Sequence, residues 1–205
     1  MTTVNYEKLT PKHFKQVIKL ANEVHGEGYL NEKSIAAWAA LGISTDLNNK
    51  NHNCSYVALL NNSPNSDANH NKTQKELIGF RITFAAKQWQ VDQWCSPHLW
   101  QVPQSACCYF KCNTVNERYR GLGVGKKLLQ LSIKAAKEQG AQAGIAHLWK
   151  QSPNNSAVAY FTRCGGELVK SHPDKWNEAS KQGYNCILCG YDCHCEAAEM
   201  IIRFT

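Results

Sequence analysis

A glycine-rich turn, Arg120-Gly121-Leu122-Gly123-Val124-Gly125-Lys126-Lys127, constrains this chain more than any other feature of its sequence. The turn follows the apolar run Ala106 to Val115, which has the length and near-continuous hydrophobicity of a strand buried on both faces. It opens a segment with apolar residues at helical spacing, which Gly140 ends. Three glycines in five residues let the backbone approach a ligand, and a helix start offers unpaired N–H groups and positive charge. The turn therefore predicts an anion site suited to a pyrophosphate.

Three nucleotide-binding motifs compete for this turn. A Walker A loop needs glycine where Arg120 stands and serine or threonine where Lys127 stands. A dinucleotide-binding fingerprint needs its third glycine one residue later than Gly125. An Arg-x-x-Gly-x-Gly motif followed by two leucines fits without adjustment, and its residues are Arg120, Gly123, Gly125, Leu128 and Leu129.

A second block of sequence follows the next predicted strand, Ile145 to Trp149. Residues 154–165 run Asn-x-x-Ala-x-x-aromatic-aromatic and end on Gly165. Together the two blocks resemble the GNAT N-acetyltransferase superfamily, firmly over residues 105–170 and more loosely from Thr3 through two N-terminal helices. The resemblance implies an α/β fold with a mixed, twisted central sheet flanked by helices. We expect one such domain over residues 1–205, with a cysteine-rich segment at 183–205.

The resemblance also implies how acetyl-CoA is held as cosubstrate. Backbone groups of Asn113 and Val115 would hydrogen-bond the pantetheine arm and the thioester carbonyl. The N–H groups of the turn would hold the pyrophosphate, Arg120 would fix the turn, and Asn154 would contact the far side of the pantetheine. The implied cofactor-binding residues are Asn113, Val115, Arg120, Gly121, Leu122, Gly123, Val124, Gly125, Lys126 and Asn154.

The catalytic groups match the family less well. Many members carry a tyrosine acid where Phe161 stands here, and Tyr160 is offset from it by one residue, which turns a helical side chain by about 100°. Either Tyr160 serves as the acid after a local shift, or the acid comes from elsewhere. Some members place a glutamate base on the central strand, but Tyr109 occupies that position. The base stays unassigned, and the candidates, each also consistent with an ordinary packing or surface role, are His25, Glu27, Tyr29 and His147.

The remaining pattern alternates short strands and helices. The predicted elements, in chain order, are a strand at Val4 and Tyr6, a helix opened by Thr10-Pro11, a helix over 31–41, strands over 55–60 and 77–85, a helix over 154–164, and strands over 167–170 and 200–204. An asparagine-rich stretch from Asn61 to Lys75 is expected to form a long surface loop. The segment 87–104 carries Trp89, Trp94 and Trp100, which form an extra lid on the core or line a recognition surface.

Four of the ten cysteines fall within ten residues, as Cys186, Cys189, Cys193 and Cys195. Four thiolates can bind zinc tetrahedrally, and Cys-x-x-Cys is a usual half-site. Against this, only three residues separate the two pairs, and neighbouring residues of a strand point to opposite faces. Structural zinc, reduced metal-free thiols and redox chemistry all stay open.

Composition narrows the functional class. A hydrophobic content of 43% supports a real core, and 19% charged residues is too few for a disordered chain. No apolar run could span a membrane and no secretory signal is visible, so we expect a cytoplasmic protein. The net charge of +7 favours anionic partners, although the basic residues are too dispersed to favour nucleic acid.

We therefore expect transfer of an acetyl group from acetyl-CoA to an amine by direct attack. The acceptor is a protein N-terminus or lysine, or a small amine, and the general layout, which resembles ribosomal-protein acetyltransferases, favours protein acceptors. The alternative is a non-catalytic acyl-CoA-binding or zinc-bearing interaction module. The sequence does not indicate an oligomeric state.

Overall fold

The structure is a computed structural model that describes residues 3–45, 53–61 and 75–204. Seven strands form one sheet: β1 (Val4–Lys8), β2 (Tyr56–Asn61), β3 (Lys75–Phe84), β4 (Cys107–Val115), β5 (Ala143–Trp149), β6 (Glu167–His172) and β7 (Ala197–Arg203). Five helices accompany them: α1 (Phe14–His25), α2 (Glu32–Leu41), α3 (Val124–Glu138), α4 (Ser156–Arg163) and α5 (Asn177–Lys181). None of the helices in these described ranges is both long and apolar enough to cross a membrane.

The sheet order is β1-β2-β3-β4-β5-β7-β6. All neighbouring strands are antiparallel except β4 and β5, which run parallel. The parallel pair joins only Cys107–Tyr109 to Ala143–Ile145, and beyond these residues the two strands separate. This mixed sheet flanked by helices confirms the predicted fold class.

Helices cover both faces of the sheet. On one face, α1 and α2 bury Val17, Leu20 and Ile35 against apolar side chains of β3 and β4. On the other face, α3 buries Leu128 and Leu129 against the sheet, and α4 adds the fully buried Phe161. The apolar positions spaced three and four apart in the sequence are the ones that turn inward, as the helical period requires.

Most predicted elements form, with shifted ends. Thr10-Pro11 opens a 3-10 turn over Pro11–His13, and the α-helix proper begins at Phe14. The helix expected from Asn154 begins at Ser156, because Asn154 and Asn155 adopt left-handed backbone with φ of 55° and 51°. The final strand begins three residues earlier than expected, at Ala197. Most of the expected asparagine-rich loop lies outside the described residues.

Candidate active site

The gap between β4 and β5 leaves part of the β4 backbone without a partner strand. Asn116 N donates to Ile78 O at 2.9 Å, so Asn116 faces β3. Since successive residues of a strand direct their backbone groups to opposite neighbours, Val115 and Asn113 face the side where β5 has turned away. Val115 O accepts a bond of 3.3 Å from Arg120 Nε, which ties the following turn to the strand end. The cleft therefore opens onto backbone groups of Asn113 and Val115 that no neighbouring strand pairs.

The glycine turn closes one end of this cleft. Gly121 and Gly123 have φ of 80° and 79°, in the left-handed region where a side chain is strained. A Cβ at either position would meet nothing within 4 Å among the described atoms, so the backbone is open to an approaching ligand. The first helical bond runs from Lys127 N to Gly123 O, which leaves the N–H groups at the start of α3 without intrahelical partners. The turn thus has the shape and polarity that the predicted anion site requires.

A continuous cleft of about 1980 Å³ runs from this turn to the α1–α2 side of the sheet. Most of the predicted cofactor residues line it: Asn113, Val115, Arg120, Gly121, Gly123, Val124, Gly125 and Lys126. Leu122 is 71% exposed and Asn154 is also exposed, and neither lines the cleft. Of the base candidates, His25, Tyr29 and His147 line the cleft, whereas Glu27 is exposed outside it.

Tyr160, not Phe161, faces the cleft. Phe161 is fully buried and packs edge-on against Phe110, with ring centroids 5.9 Å apart. The Tyr160 hydroxyl donates to Gly125 O and accepts from Arg81 Nη2, both at 3.0 Å. Burial raises the pKa of Tyr160, while the Arg81 charge favours its ionised form. The phenol is therefore held at the start of α3 beside a buried cation.

The cleft also contains a buried amide oxygen with no partner. Asn113 Oδ1 makes no hydrogen bond to any described residue, although the atom is buried. Its amide nitrogen lies near the start of α3, 3.5 Å from where a Cβ on Gly125 would sit. Buried polar atoms are rarely left unpaired in folded proteins, so this oxygen indicates a ligand donor in the cleft. The amide N–H groups of a pantetheine arm are donors of the required type.

A β-bulge in β4 determines which of its side chains face each wall of the cleft. Ile82 pairs with Cys112 and the next residue, Thr83, pairs with Phe110, so Lys111 has no opposite residue on β3. The bulge resets the alternation of side chains along the strand. Consequently Tyr109 and Cys112 both face the α1–α2 side, while Asn113 faces α3.

Where β4 and β5 begin to separate, Tyr109 and His147 form a hydrogen-bonded pair. The Tyr109 hydroxyl lies 3.0 Å from His147 Nδ1, and His147 Nε2 lies 2.6 Å from Trp94 O. A carbonyl only accepts, so Nε2 carries the proton, and Nδ1 accepts from Tyr109 when the ring is neutral. Burial, reinforced by the Lys175 charge, lowers the pKa of His147 to about 4, which keeps the ring neutral at pH 7. The sequence suggested His147 but not Tyr109, because only the sheet register brings them together.

A buried carboxylate anchors the segment that carries the tryptophans. Glu199 Oε1 accepts from Trp100 Nε1 at 2.7 Å and from Ser96 N at 2.8 Å, and Glu199 Oε2 bonds His172 at 2.9 Å. Trp100 is fully buried, so of the two roles that the sequence left open, a lid on the core or a recognition surface, the lid fits this residue. Trp89 and Trp94 are half-buried and line the cleft, so the recognition-surface interpretation fits these two.

A thiol and an imidazole lie together on the same side of the cleft. Cys112 Sγ is 3.8 Å from His25 Nε2 and 3.5 Å from Thr114 Oγ1, and His25 Nε2 is 2.9 Å from Thr114 Oγ1. Burial opposes ionisation of Cys112, but the bonds and charge of His25, with Thr114 and Tyr29, outweigh it and lower the pKa of Cys112 to about 7. Sequence analysis missed this pair, since nothing local connects residues 25 and 112.

Aromatic rings form the rest of this wall. Each ring contacts the next in the order His25, Tyr29, Trp38, Phe84, Tyr109 and Trp89. The distances between the centroids of consecutive rings in this order are 4.5, 6.0, 6.4, 5.9 and 4.9 Å. Two ammonium groups lie over rings of the wall: Lys111 Nζ is 4.6 Å from the Trp38 centroid, and Lys175 Nζ is 5.4 Å from that of Trp94. Burial lowers the pKa of both lysines, and Lys175 Nζ also lies 3.8 Å from Asp92 Oδ2. The wall is therefore apolar, with one lysine, Lys111, and one Lys175–Asp92 ion pair.

The four clustered cysteines lie on a loop rather than on a strand, and their sulfur atoms converge. All four sulfurs, of Cys186, Cys189, Cys193 and Cys195, lie within 4.8 Å of one another. The objection from strand alternation does not hold, because the strand begins only at Ala197.

Comparison with known proteins defines the class. The profile of the acetyltransferase (GNAT) family matches residues 44–166, more than half of the chain, so the chain belongs to this family. A comparison with curated protein sequences returns no match.

Solved structures share the whole fold at low identity. A chain of the NatC complex bound to Gag peptide and CoA gives a TM-score of 0.63 at 14% identity, covering 98% of this chain and 99% of that one. Ard1 from Thermoplasma volcanium gives 0.63 at 12% identity, covering 98% of each chain. Arabidopsis thaliana NAA60 in complex with acetyl-CoA gives 0.63 at 14% identity, covering 98% of this chain and 100% of that one. These likenesses show a common fold.

Proposed function

We propose that this protein is an N-acetyltransferase that moves the acetyl group of acetyl-CoA to the α-amine of a peptide or protein. One observation carries the proposal: a hydrogen-bonded Tyr109–His147 pair stands at the apex of the β4–β5 gap, at the opposite end from the glycine turn. The cleft thus combines an anion site, a free strand edge and a neutral proton acceptor. Membership of the family and neighbours solved with CoA or acetyl-CoA support the cosubstrate.

The residues would hold acetyl-CoA along the α3 side of the cleft. The N–H groups from Gly121 to Lys126 would bind the pyrophosphate, and backbone groups of Asn113 and Val115 would bind the pantetheine and the thioester carbonyl. Asn113 Oδ1 gains a donor in this arrangement. Asn154 stays a prediction, since its side chain lies outside the cleft lining. Acetyl-CoA supplies an activated acyl carbonyl, and the protein supplies position and proton transfer.

Proton transfer from the amine would use the Tyr109–His147 pair. The hydroxyl already donates its proton to His147 Nδ1, so its oxygen is free to accept a proton from the attacking nitrogen while its own proton moves to the ring. Because His147 is neutral at pH 7, no prior deprotonation is needed. Tyr160 would protonate the departing thiolate, giving up its bond to Gly125 O, and Arg81 would stabilise the phenolate that remains.

The acceptor side favours a single amine over a polycation. Lys111 places an ammonium group in the wall, and a nearby cation favours the neutral, attacking form of an amine, whereas the charge of Lys175 is offset by Asp92, whose Oδ2 lies 3.8 Å from Lys175 Nζ. The Lys111 charge also opposes polyamines, whose remaining ammonium groups stay protonated. The aromatic rings provide apolar contact area for the first side chains of a peptide. The structural neighbours solved with peptide or bisubstrate ligands agree with this choice.

The test combines cosubstrate binding with an acceptor panel. We expect acetyl-CoA at 100 times its dissociation constant to stabilise the protein by about 2.7 kcal/mol, whereas NAD and ATP do not. With acetyl-CoA, peptides that have a free amino terminus and an apolar first residue should be acetylated, so that CoA is released. The same peptides acetylated beforehand should give no release of CoA, and neither should spermine.

Two results would redirect the proposal. A shift with acetyl-CoA but no turnover of any amine would favour the alternative, a non-catalytic acyl-CoA-binding module. Faster turnover of spermine than of the peptides would overturn the acceptor assignment alone.

We place the activity in the cytoplasm, where thiols such as Cys112 stay reduced.

A further inference from the structure

A loop between α5 and β7, residues 183–196 and here termed the cysteine loop, packs on the acceptor end of the cleft without a helix or strand of its own. It exposes three large apolar side chains: Ile187 at 54%, Leu188 at 59% and Tyr191 at 60%. Its buried side chains are Cys186, Cys193 and Cys195, at 1–3% exposure, packed against Trp149, Trp176 and Tyr184. A loop this poor in buried apolar groups needs another source of order, such as a disulfide or a metal.

The sulfur geometry matches a tetrahedral metal site. Cys195 Sγ lies 3.9 Å from Cys186 Sγ and 3.7 Å from Cys189 Sγ, and all four sulfurs are mutually within 4.8 Å. Tetrahedral zinc with bonds of about 2.3 Å places its sulfur ligands about 3.8 Å apart. The four thiols are free rather than joined in pairs.

The first pair sits in a turn built to present thiolates. Cys186 N donates to Gly190 O at 2.9 Å and Gly190 N donates to Cys186 O at 2.8 Å, which closes a tight turn around Cys189. Gly190 has φ of 71°, a left-handed position that suits glycine. The N–H groups of Leu188 and Cys189 point to the Cys186 sulfur, and Cys195 N–H points to that of Cys193. Such bonds orient sulfur ligands and stabilise their negative charge.

We propose that Cys186, Cys189, Cys193 and Cys195 bind one structural zinc ion. Each thiol releases its proton to solvent when it binds, so four protons leave per ion. Four thiolates fill a tetrahedral shell, which leaves no position for water or substrate and excludes a direct part in acetyl transfer. Tetrathiolate sites also suit iron, so the test measures both metals.

A zinc ion in the cysteine loop would hold in place the wall of the cleft that an acceptor contacts. This inference rests on the proposed function. Tyr184 OH donates to His25 O at 2.8 Å, and Asn185 N donates to Glu27 O at 3.4 Å. A Cβ on Gly26 would lie 2.0 Å from Asn185 O, so the loop and the 25–29 turn are in close contact. Residues that hold the metal are thereby adjacent to the turn that carries His25 and Tyr29.

The experiment measures metal in protein purified under reducing conditions without a histidine tag. We expect about one equivalent of zinc and no iron in the wild type and in the control variant Cys164→Ser. Cys189→Ser changes the exposed ligand and should lose most of the zinc. Because loss of a ligand can unfold the loop, wild-type protein is also titrated with a mercurial in the presence of a chromogenic chelator. The zinc released should rise in proportion to the modification of four thiols.

Activity then separates this inference from the proposed function. We expect Cys189→Ser to retain the acetyl-CoA thermal shift and to raise KM for the peptide acceptor. Wild-type protein without metal, with four free thiols or two disulfides by mass spectrometry, would overturn the zinc site whatever the activity. One equivalent of iron would overturn the choice of zinc. A zinc-loaded protein that acetylates no amine would leave the site standing and count against the proposed function alone.

Discussion

The two halves of the cleft are built from different kinds of group. The cofactor half uses backbone atoms of residues 113–126, a contiguous stretch with two left-handed glycines. The acceptor half uses side chains of residues far apart in sequence, among them His25, Lys111 and Tyr184. A site made of contiguous backbone is fixed by local conformation, whereas a site made of distant side chains depends on the register and packing of the whole sheet. The first kind tolerates sequence change outside its glycines, and the second is where specificity can vary.

The same contrast extends to chemistry. The cofactor half presents N–H dipoles and fixed positive charge, neither of which titrates near neutral pH. The acceptor half contains His147 and Cys112, whose pKa values are lowered to about 4 and about 7. Substitutions in the two halves should therefore fail in different ways, the first in binding of acetyl-CoA and the second in turnover and pH dependence.

The largest expected effect is at the proton-accepting pair. Tyr109→Phe keeps the ring contacts with Trp89 and Phe84 but removes the hydroxyl that bonds His147. We expect kcat for a peptide acceptor to fall by roughly 10²–10³-fold, the range of general acid–base catalysis, with an unchanged acetyl-CoA thermal shift. His147→Asn should behave alike, and the exposed His98→Asn provides the control. Full activity of Tyr109→Phe would remove this pair from the mechanism.

The next effect is at the glycine turn, where a matched pair of glycines is available. Gly123 and Gly140 have φ of 79° and 89°, and a Cβ at either meets nothing within 4 Å. Valine at each position carries a similar strain of about 1–2 kcal/mol. Only Gly123→Val should also block the phosphate approach, so we expect kcat/KM for acetyl-CoA to fall roughly 100-fold, or about 2.7 kcal/mol.

Thermal shift with acetyl-CoA separates the two glycine variants. Gly140→Val should unfold at a lower temperature than the wild type, but acetyl-CoA should still raise its unfolding temperature. In Gly123→Val, acetyl-CoA should no longer raise the unfolding temperature. Equal responses would mean that the turn does not hold the pyrophosphate.

These two cases show what the sequence could and could not predict. The glycine turn, the strand before it and the buried side of α3 follow from composition and spacing within residues 106–140, and both elements form there. The strand is less buried than expected, since from Cys108 onward its buried residues alternate with half-buried ones. The partner of His147 was not predictable, because it depends on a parallel register that ends at Tyr109 and Ile145. The β4 bulge at Lys111 leaves no mark in the sequence, yet it decides which side chains face the acceptor. The convergence of the four thiols stayed one of several open alternatives in the sequence, since it depends on the path of a loop.

A smaller effect concerns stability at acid pH. Burial lowers the pKa of His147 from its ordinary 6.5 to about 4. The groups around it are Tyr109, Trp94 O, His172 and Lys175, with the carboxylates of Glu199 and Asp92. The unfolded chain takes up a proton near pH 6.5 and the folded one only near pH 4. Stability from this residue is therefore present above pH 6.5 and is lost as the pH falls toward 4.

Urea unfolding checks this dependence. Between pH 7 and pH 5 the wild type should lose about 2 kcal/mol more unfolding free energy than His147→Asn does. Equal losses in the two proteins would show that His147 titrates normally in the folded state.

The smallest effect is a difference in thiol reactivity within the acceptor half. Since His25 lowers the pKa of Cys112 to about 7, the reactive thiolate fraction should rise about tenfold from pH 6 to pH 8, and iodoacetamide labelling of Cys112 should follow it. Burial raises the pKa of Cys54 to about 12, so its peptide is an internal control that stays unlabelled. His25→Gln should slow labelling of Cys112 at pH 8, and a peptide acceptor should protect it because the thiol faces the acceptor side. Labelling that is unchanged in His25→Gln would show that the imidazole does not activate the thiol, and protection by acetyl-CoA alone would place Cys112 in the cofactor half.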